Sequence, residues 1–263
     1  MSIFRTSFAS ASLFRTVNLT VIVPIESYGN PELEANKPEK FKTLYLLHGF
    51  GGSQDDWLDY TNLRTLAELH NLAIVLPAAE NSFYENIGGI GGDYSDFVGQ
   101  EIVDFTRRAF PLSDKREDTF IGGLSMGGFG ALRLGMLYHK TFSKIISLSG
   151  AFIIDNITDI KPDHRDMIAD YAYYTRIFGD LKQLKGSDKD PLYCVDQAIS
   201  SGLVPTVYQA VGTEDFLLEE NHNMRDALTT RQICLDYHES SGIHDWQFWN
   251  RYLPKAIDWL LTE

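Results

Sequence analysis

The chain has 263 residues, of which 44% are hydrophobic and 22% are charged, a size that suits one large α/β domain or two small ones. Its formal net charge of −13 disfavours binding to nucleic acids or anionic membranes, because both attract clusters of Lys and Arg. No segment has the roughly 20 apolar residues of a membrane span or the apolar core of a signal peptide, so we expect a cytoplasmic enzyme or binding protein.

The predicted strands begin near the N-terminus. Apolar residues alternate with polar ones from Phe14 to Pro24, which predicts a half-buried strand. The polar segment 27–40 carries two prolines and predicts a hairpin loop or a surface excursion. Continuous apolar runs then predict strands buried on both faces, as in a parallel sheet, at 43–49, 72–78, 119–125, 144–151, 206–215 and 232–239.

Helix-like segments lie between these strands. Apolar residues recur at helical spacing in 62–71, 98–110, 127–139 and 250–263, the last with Pro254 near its first turn. The alternation predicts a doubly wound, mostly parallel α/β sheet in a single domain spanning residues 1–263. Residues 155–200 break the alternation, are rich in Tyr and charge, and predict a small helical, lid-like insertion above the sheet edge.

A serine lies in the most glycine-rich part of the chain. Gly123–Gly127 reads G-x-S-x-G around Ser125, with a predicted strand before it and a predicted helix after it. A strained strand-to-helix turn needs neighbours without Cβ atoms, and the helix N-terminus stabilises negative charge beside the serine. The sequence therefore predicts Ser125 as a nucleophile. A second glycine cluster at 88–92 lacks a phosphate-binding pattern and is expected to shape a loop near the site.

A nucleophilic serine needs a base and an acid that orients the base. His244 follows the last predicted strand and precedes the final helix, which is where a base can reach Ser125. Asp215 follows another predicted strand and is the expected acid, with the adjacent Glu214 as the alternative. His48 is expected to brace its loop rather than to act as a second base.

The oxyanion of an acyl-transfer reaction needs two N–H donors. The backbone N–H of Met126 follows from the turn, and the glycine loop after an early strand supplies that of Phe50, with Gly51 as the alternative. We expect Trp57 and Trp246 to contact the substrate, and either Tyr171 or Tyr174 to join them at the wall of the site.

Four segments in this order, "LLHGFGGSQDDW", "GLSMGGFGALRLG", "VGTEDFLLEEN" and "GIHDWQFW", resemble the esterase family that includes esterase D, S-formylglutathione hydrolase and the bacterial tributyrin esterases. The resemblance is strongest to the tributyrin and short-chain acyl esterase branch. It implies an α/β-hydrolase fold and a serine carboxylesterase with a Ser-His-Asp triad. It also implies a small ester substrate, no metal or organic cofactor, a cytoplasmic location, and dimers or tetramers.

Other functions stay open. Phe129 stands where the S-formylglutathione hydrolase branch has His, which disfavours glutathione thioesters without excluding them. A carbohydrate acetyl or feruloyl esterase has the same expected triad, and a non-catalytic binding protein of this fold is a more distant alternative. Cys194 and Cys234 are too few for a disulfide framework and lack metal-ligand spacing.

Overall fold

A mixed sheet forms the centre of the computed structural model, which describes residues 1–27 and 31–262. The strands are β1 Ser2–Ser10, β2 Arg15–Val23, β3 Lys42–Leu47, β4 Leu72–Pro77, β5 Thr119–Leu124, β6 Lys144–Leu148, β7 Thr206–Gly212 and β8 Leu235–Ser240. Within the described ranges these eight strands have the order β1-β2-β4-β3-β5-β6-β7-β8. Strands β3 to β8 run parallel, whereas β2 is antiparallel to both of its neighbours. The prediction of a mostly parallel sheet is confirmed.

Helices cover both faces of the sheet. They are α1 Pro31–Ala35, α2 Asp56–Tyr60, α3 Leu63–Leu69, α4 Tyr94–Asp96, α5 Ile102–Ala109, α6 Met126–Leu137, α7 Ile154–Ile157, α8 Tyr171–Phe178, α9 Pro191–Ser201, α10 Leu218–Thr230 and α11 Trp246–Leu261. A π-helical turn precedes α5, and two 3₁₀ turns occur at Arg116–Asp118 and Leu181–Gln183. Helices α5, α6, α9 and α10 pack on one face, and α2, α3 and α11 on the other. The doubly wound arrangement is therefore confirmed.

The N-terminal strand β1 was not predicted. It pairs with β2 in an antiparallel hairpin whose register runs from Ser2–Val23 to Ser10–Arg15. As an edge strand it buries only one side, where Phe8 stacks on Phe105 at 4.1 Å between ring centroids. Half-buried edge strands have little continuous apolar sequence, so the periodicity of β1 is weak.

The polar segment between β2 and β3 is a surface excursion rather than a hairpin loop. Strand β2 pairs with β1 and β4, so it cannot form a hairpin with β3. The short helix α1 lies in this segment and buries none of its residues. Residues 28–30 of the predicted loop lie outside the described part of the chain.

The predicted insertion at residues 155–200 contains α8, α9 and most of α7. Helix α9 buries Cys194, Val195 and Ala198 in the core shared with α6, so α9 is the crossover helix that leads to β7. Helix α8 lies at the carboxyl edge of the sheet, where the Tyr173 hydroxyl donates to the Asn81 carbonyl at 2.7 Å. Only the part of the insertion that precedes α9 therefore lies over the carboxyl edge of the sheet.

The last helix begins earlier than the sequence predicts. It starts at Trp246 because the Asp245 carboxylate accepts the Phe248 N–H at 2.9 Å and caps the first turn. Pro254 therefore lies in the interior of α11, not near its first turn. One face of α11 is buried in the core, including Phe248 and Leu253, and this burial offsets the cost of a proline inside the helix.

Candidate active site

A serine lies on a strained turn at the carboxyl edge of the sheet. Ser125 separates β5 from α6 and has φ 54° and ψ −120°, a conformation that residues with a side chain rarely adopt. Its N–H donates to the Leu148 carbonyl at 2.9 Å, and its own carbonyl accepts the N–H groups of Phe129 and Ala151 at 3.0 Å. These three hydrogen bonds hold the turn in place.

Glycines beside this serine allow the backbone approach that the sequence predicts. A Cβ atom on Gly127 would lie 2.5 Å from the Leu47 carbonyl oxygen, and one on Gly123 would lie 2.4 Å from that of Gly127. Neither position has room for a side chain, so α6 starts in direct contact with the end of β3. Gly130 instead faces the ring of Tyr84, which belongs to the loop after β4.

Asp215 and His244 meet beyond the ends of β7 and β8. His244 Nδ1 lies 2.9 Å from Asp215 Oδ2 and 3.0 Å from Oδ1, and the Asp215 side chain is fully buried. Burial raises the pKa of Asp215, but hydrogen bonds from His244 and from the Leu217 N–H outweigh it and lower that pKa below its ordinary value. Asp215 is therefore a carboxylate that accepts a hydrogen bond from the Nδ1–H group of His244.

Glu214, the alternative acid, has a different partner. Its carboxylate accepts the Gly242 N–H at 2.6 Å, and its own N–H donates to the Gly242 carbonyl at 3.0 Å. Gly212 lies so close to this loop that a Cβ atom there would be 2.1 Å from the Gly242 carbonyl oxygen. Glu214 thus fastens the loop that carries His244, and Asp215 is the carboxylate that contacts the imidazole.

Two aromatic rings contact the imidazole of His244. The Phe216 ring lies 4.6 Å from it between centroids, and the Trp249 ring meets it edge-on at 5.0 Å. Trp249 is buried, whereas Phe216 is half exposed. Together with Asp215, these rings limit the orientations that the imidazole can adopt.

His48 is a buried structural residue, in keeping with the sequence expectation. Its Nε2 accepts the Ala79 N–H at 3.1 Å, so its proton is on Nδ1, which donates to the Gly49 carbonyl at 2.8 Å. Burial lowers the pKa of His48, which keeps the ring neutral. Four further histidines pair with carboxylates away from the serine: His70 with Asp258, His164 with Asp166, His222 with Glu239 and His238 with Asp236.

The two predicted N–H donors, those of Met126 and Phe50, differ from the alternative Gly51 in their hydrogen bonding. Met126 is the first residue of α6, so its N–H has no acceptor within the helix. In the loop after β3, the Gly51 N–H donates to Asn81 Oδ1 at 2.7 Å and is already engaged. Of the two alternatives in this loop, that leaves the Phe50 N–H as the group available to a ligand.

Ser125 and His244 line one open cleft of about 250 Å³. Its other lining residues are Gly49, Phe50, Gly51, Gly52, Asp56, Tyr60, Leu124, Trp246 and Trp249. A larger cavity of about 400 Å³ lies beside the C-terminal end of α6, and none of the predicted site residues lines it. The smaller cleft is the candidate active site because the predicted serine and histidine meet there.

The aromatic wall of this cleft differs from the prediction. Trp57 is fully buried, with its Nε1 donating to the Leu47 carbonyl at 3.0 Å, so it cannot contact a substrate. Trp246 lines the cleft as predicted, and Trp57 supports it from behind, edge-on at 5.2 Å. Tyr60, which was not predicted, is exposed and stacks on Trp246 at 5.0 Å.

The expected tyrosines of the insertion do not line the cleft. Tyr174 is buried, with its hydroxyl donating to Asp166 at 2.8 Å, and the cleft lining includes neither Tyr174 nor Tyr171. Tyr173 is the tyrosine that approaches it, edge-on to Phe50 at 5.5 Å. Consecutive residues of a helix point in different directions, so the sequence could not choose among them.

The second glycine cluster lies away from this cleft. A Cβ atom on Gly91 would lie 2.6 Å from the Leu13 carbonyl oxygen, and the Asp93 N–H donates to the Ser12 carbonyl. The cluster therefore packs on the turn between β1 and β2. The expectation that it shapes a loop near the site is wrong.

Comparison with known proteins identifies the family. A family model described as "Putative esterase" matches residues 10–260. The chain belongs to this family. An acetyl esterase from Caldicellulosiruptor saccharolyticus is 43% identical over 261 residues, which cover 99% of this chain and 98% of that protein.

Two solved structures from Staphylococcus aureus resemble this esterase over nearly its whole length. The fluorophosphonate-binding serine hydrolase FphF, with substrate bound, has a TM-score of 0.85 at 30% identity and covers 100% of this chain and 99% of its own. The S-formylglutathione hydrolase FrmB, as apoenzyme, has a TM-score of 0.83 at 30% identity and covers 99% of each chain. The protein is therefore a hydrolase with the α/β-hydrolase fold, and the resemblance seen in the sequence is confirmed.

Residues 1–27 and 31–262 contain neither a membrane-spanning helix nor a metal-binding group of side chains. No helix there is both long and apolar enough to cross a membrane. Over the same ranges, no group of three or more His, Cys, Asp and Glu residues is arranged to hold a metal ion.

Proposed function

We propose that this esterase is a serine carboxylesterase that hydrolyses short-chain acyl esters through an acyl-enzyme intermediate. Ser125 is the nucleophile, His244 the general base and Asp215 the carboxylate that orients it. The observation that carries the proposal is the contact of His244 Nδ1 with the buried Asp215, in the cleft that Ser125 also lines.

The reaction follows from the positions of these groups. With the Nδ1–H of His244 hydrogen-bonded to the Asp215 carboxylate, Nε2 has a free lone pair and takes the proton of the Ser125 hydroxyl as the oxygen attacks the ester carbonyl. The N–H groups of Phe50 and Met126 stabilise the tetrahedral oxyanion. His244 then gives its proton to the departing alcohol, and water repeats the sequence to release the acid.

The size of the cleft supports small acyl groups. Its volume of about 250 Å³ is below the roughly 300–1,000 Å³ of sites that take drug-sized ligands. Leu124, Trp246 and Trp249 provide apolar surface beside Ser125. The 43% identical relative is an acetyl esterase, which has the smallest common acyl group as its named substrate.

A thioesterase acting on S-formylglutathione is the second candidate, because FrmB is 30% identical over nearly the whole chain. Phe129 stands where that branch has His, but it is fully buried against Phe83 and Phe178 and does not line the cleft, so it does not decide between thioester and ester substrates. A carbohydrate acetyl or feruloyl esterase remains a further alternative. The family resemblance also leads us to propose a cytoplasmic dimer or tetramer.

Replacement of the nucleophile tests the reaction. We expect Ser125→Ala to lose at least 10³-fold in kcat on p-nitrophenyl acetate and to lose labelling by a fluorophosphonate, because no other group can form the acyl-enzyme. Ser200→Ala, an exposed serine on α9, is the matched control and keeps both. Activity that survives in Ser125→Ala contradicts the mechanism.

The same assay separates the candidate substrates. Turnover of p-nitrophenyl esters from acetate to octanoate is expected to peak at the short chains. Comparison with S-formylglutathione and acetylated xylo-oligosaccharides then ranks the alternatives by kcat/KM. A peak at octanoate, or a much higher kcat/KM for the thioester, overturns the short-chain carboxylesterase assignment.

A further inference from the structure

Ser149 is a buried residue that the reaction described above does not use. It directly follows β6, is fully buried and has φ 48°, a conformation that is strained for a residue other than glycine. Its N–H donates to the Ala210 carbonyl at 2.7 Å, which fixes the strained backbone against β7. Strain of this kind persists only where the surroundings hold it, so the contacts of the side chain are of interest.

The Ser149 hydroxyl accepts a hydrogen bond from Trp249. Trp249 Nε1 lies 3.1 Å from Ser149 Oγ, and the two residues are 100 positions apart in the chain. An indole N–H can only donate, so Ser149 is the acceptor and its own hydroxyl hydrogen is free to donate elsewhere. The ring of the same tryptophan meets His244 edge-on.

Ser149 is thereby connected to the His244–Asp215 pair through one aromatic ring. Trp249 donates to Ser149, the ring of Trp249 meets the His244 imidazole edge-on, and His244 Nδ1 contacts Asp215. A shift of the indole would therefore reach the imidazole directly.

We propose that Ser149 is a positioning residue for the hydrolytic reaction, which holds Trp249 and, through its ring, fixes the plane of the His244 imidazole. The inference rests on the proposed function. Asp215 Oδ1 and Oδ2 lie at similar distances from His244 Nδ1, so the carboxylate alone leaves the imidazole free to turn about this contact. The Trp249 ring, held by its hydrogen bond to Ser149, opposes this motion.

Kinetics of Ser149→Ala test the role. Loss of the Ser149 hydroxyl leaves the buried Trp249 N–H without its acceptor and frees the ring to shift against His244, so we expect kcat to fall about 10-fold. We expect KM to change less than threefold because Ser149 is outside the cleft. Ser147→Ala is the matched control, since Ser147 is equally buried on β6 but donates to the Gly128 carbonyl. Ser147→Ala is expected to keep its kcat within twofold.

Two further variants distinguish a loss of positioning from a loss of the folded structure. Ser149→Gly removes the hydroxyl at a φ that glycine adopts freely, so it is expected to fold and to lose as much activity as Ser149→Ala. Trp249→Phe keeps a ring against His244 but removes the donor to Ser149, and its effect combined with Ser149→Ala is expected to be less than additive. Folded Ser149 variants with kcat within twofold of the wild type, or full additivity, overturn the proposal.

A spectroscopic measurement separates this inference from the proposed function. The proton on His244 Nδ1 is expected to give a low-field NMR signal that Asp215→Asn removes and Ser149→Ala shifts or broadens, with Ser147→Ala unchanged. This readout requires no turnover. An inactive wild type that shows these shifts refutes the esterase mechanism alone, whereas an unaltered signal in Ser149→Ala refutes the positioning role alone.

Discussion

At the scale of single residues, two adjacent carboxylates have different roles because their surroundings differ. Asp215 is buried and paired with His244, whereas Glu214 is exposed and holds the Gly242 N–H. The pKa of Glu214 is lowered, first by the Gly242 N–H, so it too remains ionised at neutral pH. Both groups are charged acceptors, and only their positions distinguish them.

Matched substitutions at these two positions test the assignment. We expect Asp215→Asn to lower kcat by about 10³–10⁴-fold, because an amide at this position favours the wrong imidazole tautomer. Glu214→Gln keeps an oxygen that accepts the Gly242 N–H, so its kcat is expected to stay within about fivefold of the wild type. The measurement is p-nitrophenyl acetate turnover at pH 7.5, and a larger loss in Glu214→Gln reverses the two roles.

At the scale of elements, one buried arginine joins three parts of the fold. Arg133 extends from α6, and its Nη2 lies 2.7 Å from Glu85 Oε2. Its Nε donates to the Asp188 carbonyl at 2.8 Å, and its Nη1 donates to Ser95 Oγ at 3.2 Å. The helix that follows Ser125 is thereby connected to the loop after β4 and to the segment before α9.

Replacement of Arg133 is expected to lower the stability of the fold. Arg133→Met keeps much of the volume but leaves several buried acceptors without a donor, each worth about 1–3 kcal/mol. We expect the free energy of unfolding, measured in urea, to fall by roughly 3–5 kcal/mol. Arg108→Met, at an exposed position of α5, is the control and is expected to change it by less than about 0.5 kcal/mol. Equal stabilities of the two variants contradict the connecting role.

At the scale of the whole molecule, the buried Glu85 makes stability depend on pH. Burial raises the pKa of this carboxyl to about 8, against the attraction of Arg133. Its ordinary value is 4.5, so between pH 4.5 and about 8 the folded protein holds a proton that the unfolded chain has lost. Stability therefore falls as the pH rises through this window, by at most about 1.4 kcal/mol per pH unit from this group.

Glu85→Gln is expected to remove this slope. The amide cannot ionise, so the free energies of unfolding at pH 5.5 and pH 7.5 should differ less in the variant than in the wild type. Repulsion within a chain of net charge −13 also changes with pH, but it contributes nearly equally to both proteins. Urea unfolding at the two pH values measures the difference, and identical slopes in both proteins refute the raised pKa.

Features that depend on neighbours in the chain could be predicted from the sequence alone. Alternation predicted β2, continuous apolar runs predicted β3 to β8, and helical spacing predicted α3, α5, α6 and α11, because side-chain periodicity follows directly from local geometry. The strain at Ser125 and the need for Gly123, whose Cβ would meet the Gly127 carbonyl, are equally local. Gly127 is required by the Leu47 carbonyl of β3, which is distant in the chain.

Contacts between residues that are distant in the chain could be seen only in the tertiary structure. The choice of Asp215 over Glu214 follows from where the loop at Gly242 folds back, and the engagement of the Gly51 N–H follows from Asn81. Burial of Trp57 and the contact of Ser149 with Trp249 likewise need helices packed on the finished sheet. Such contacts leave no periodic signal, since the partners are joined only when the chain has folded.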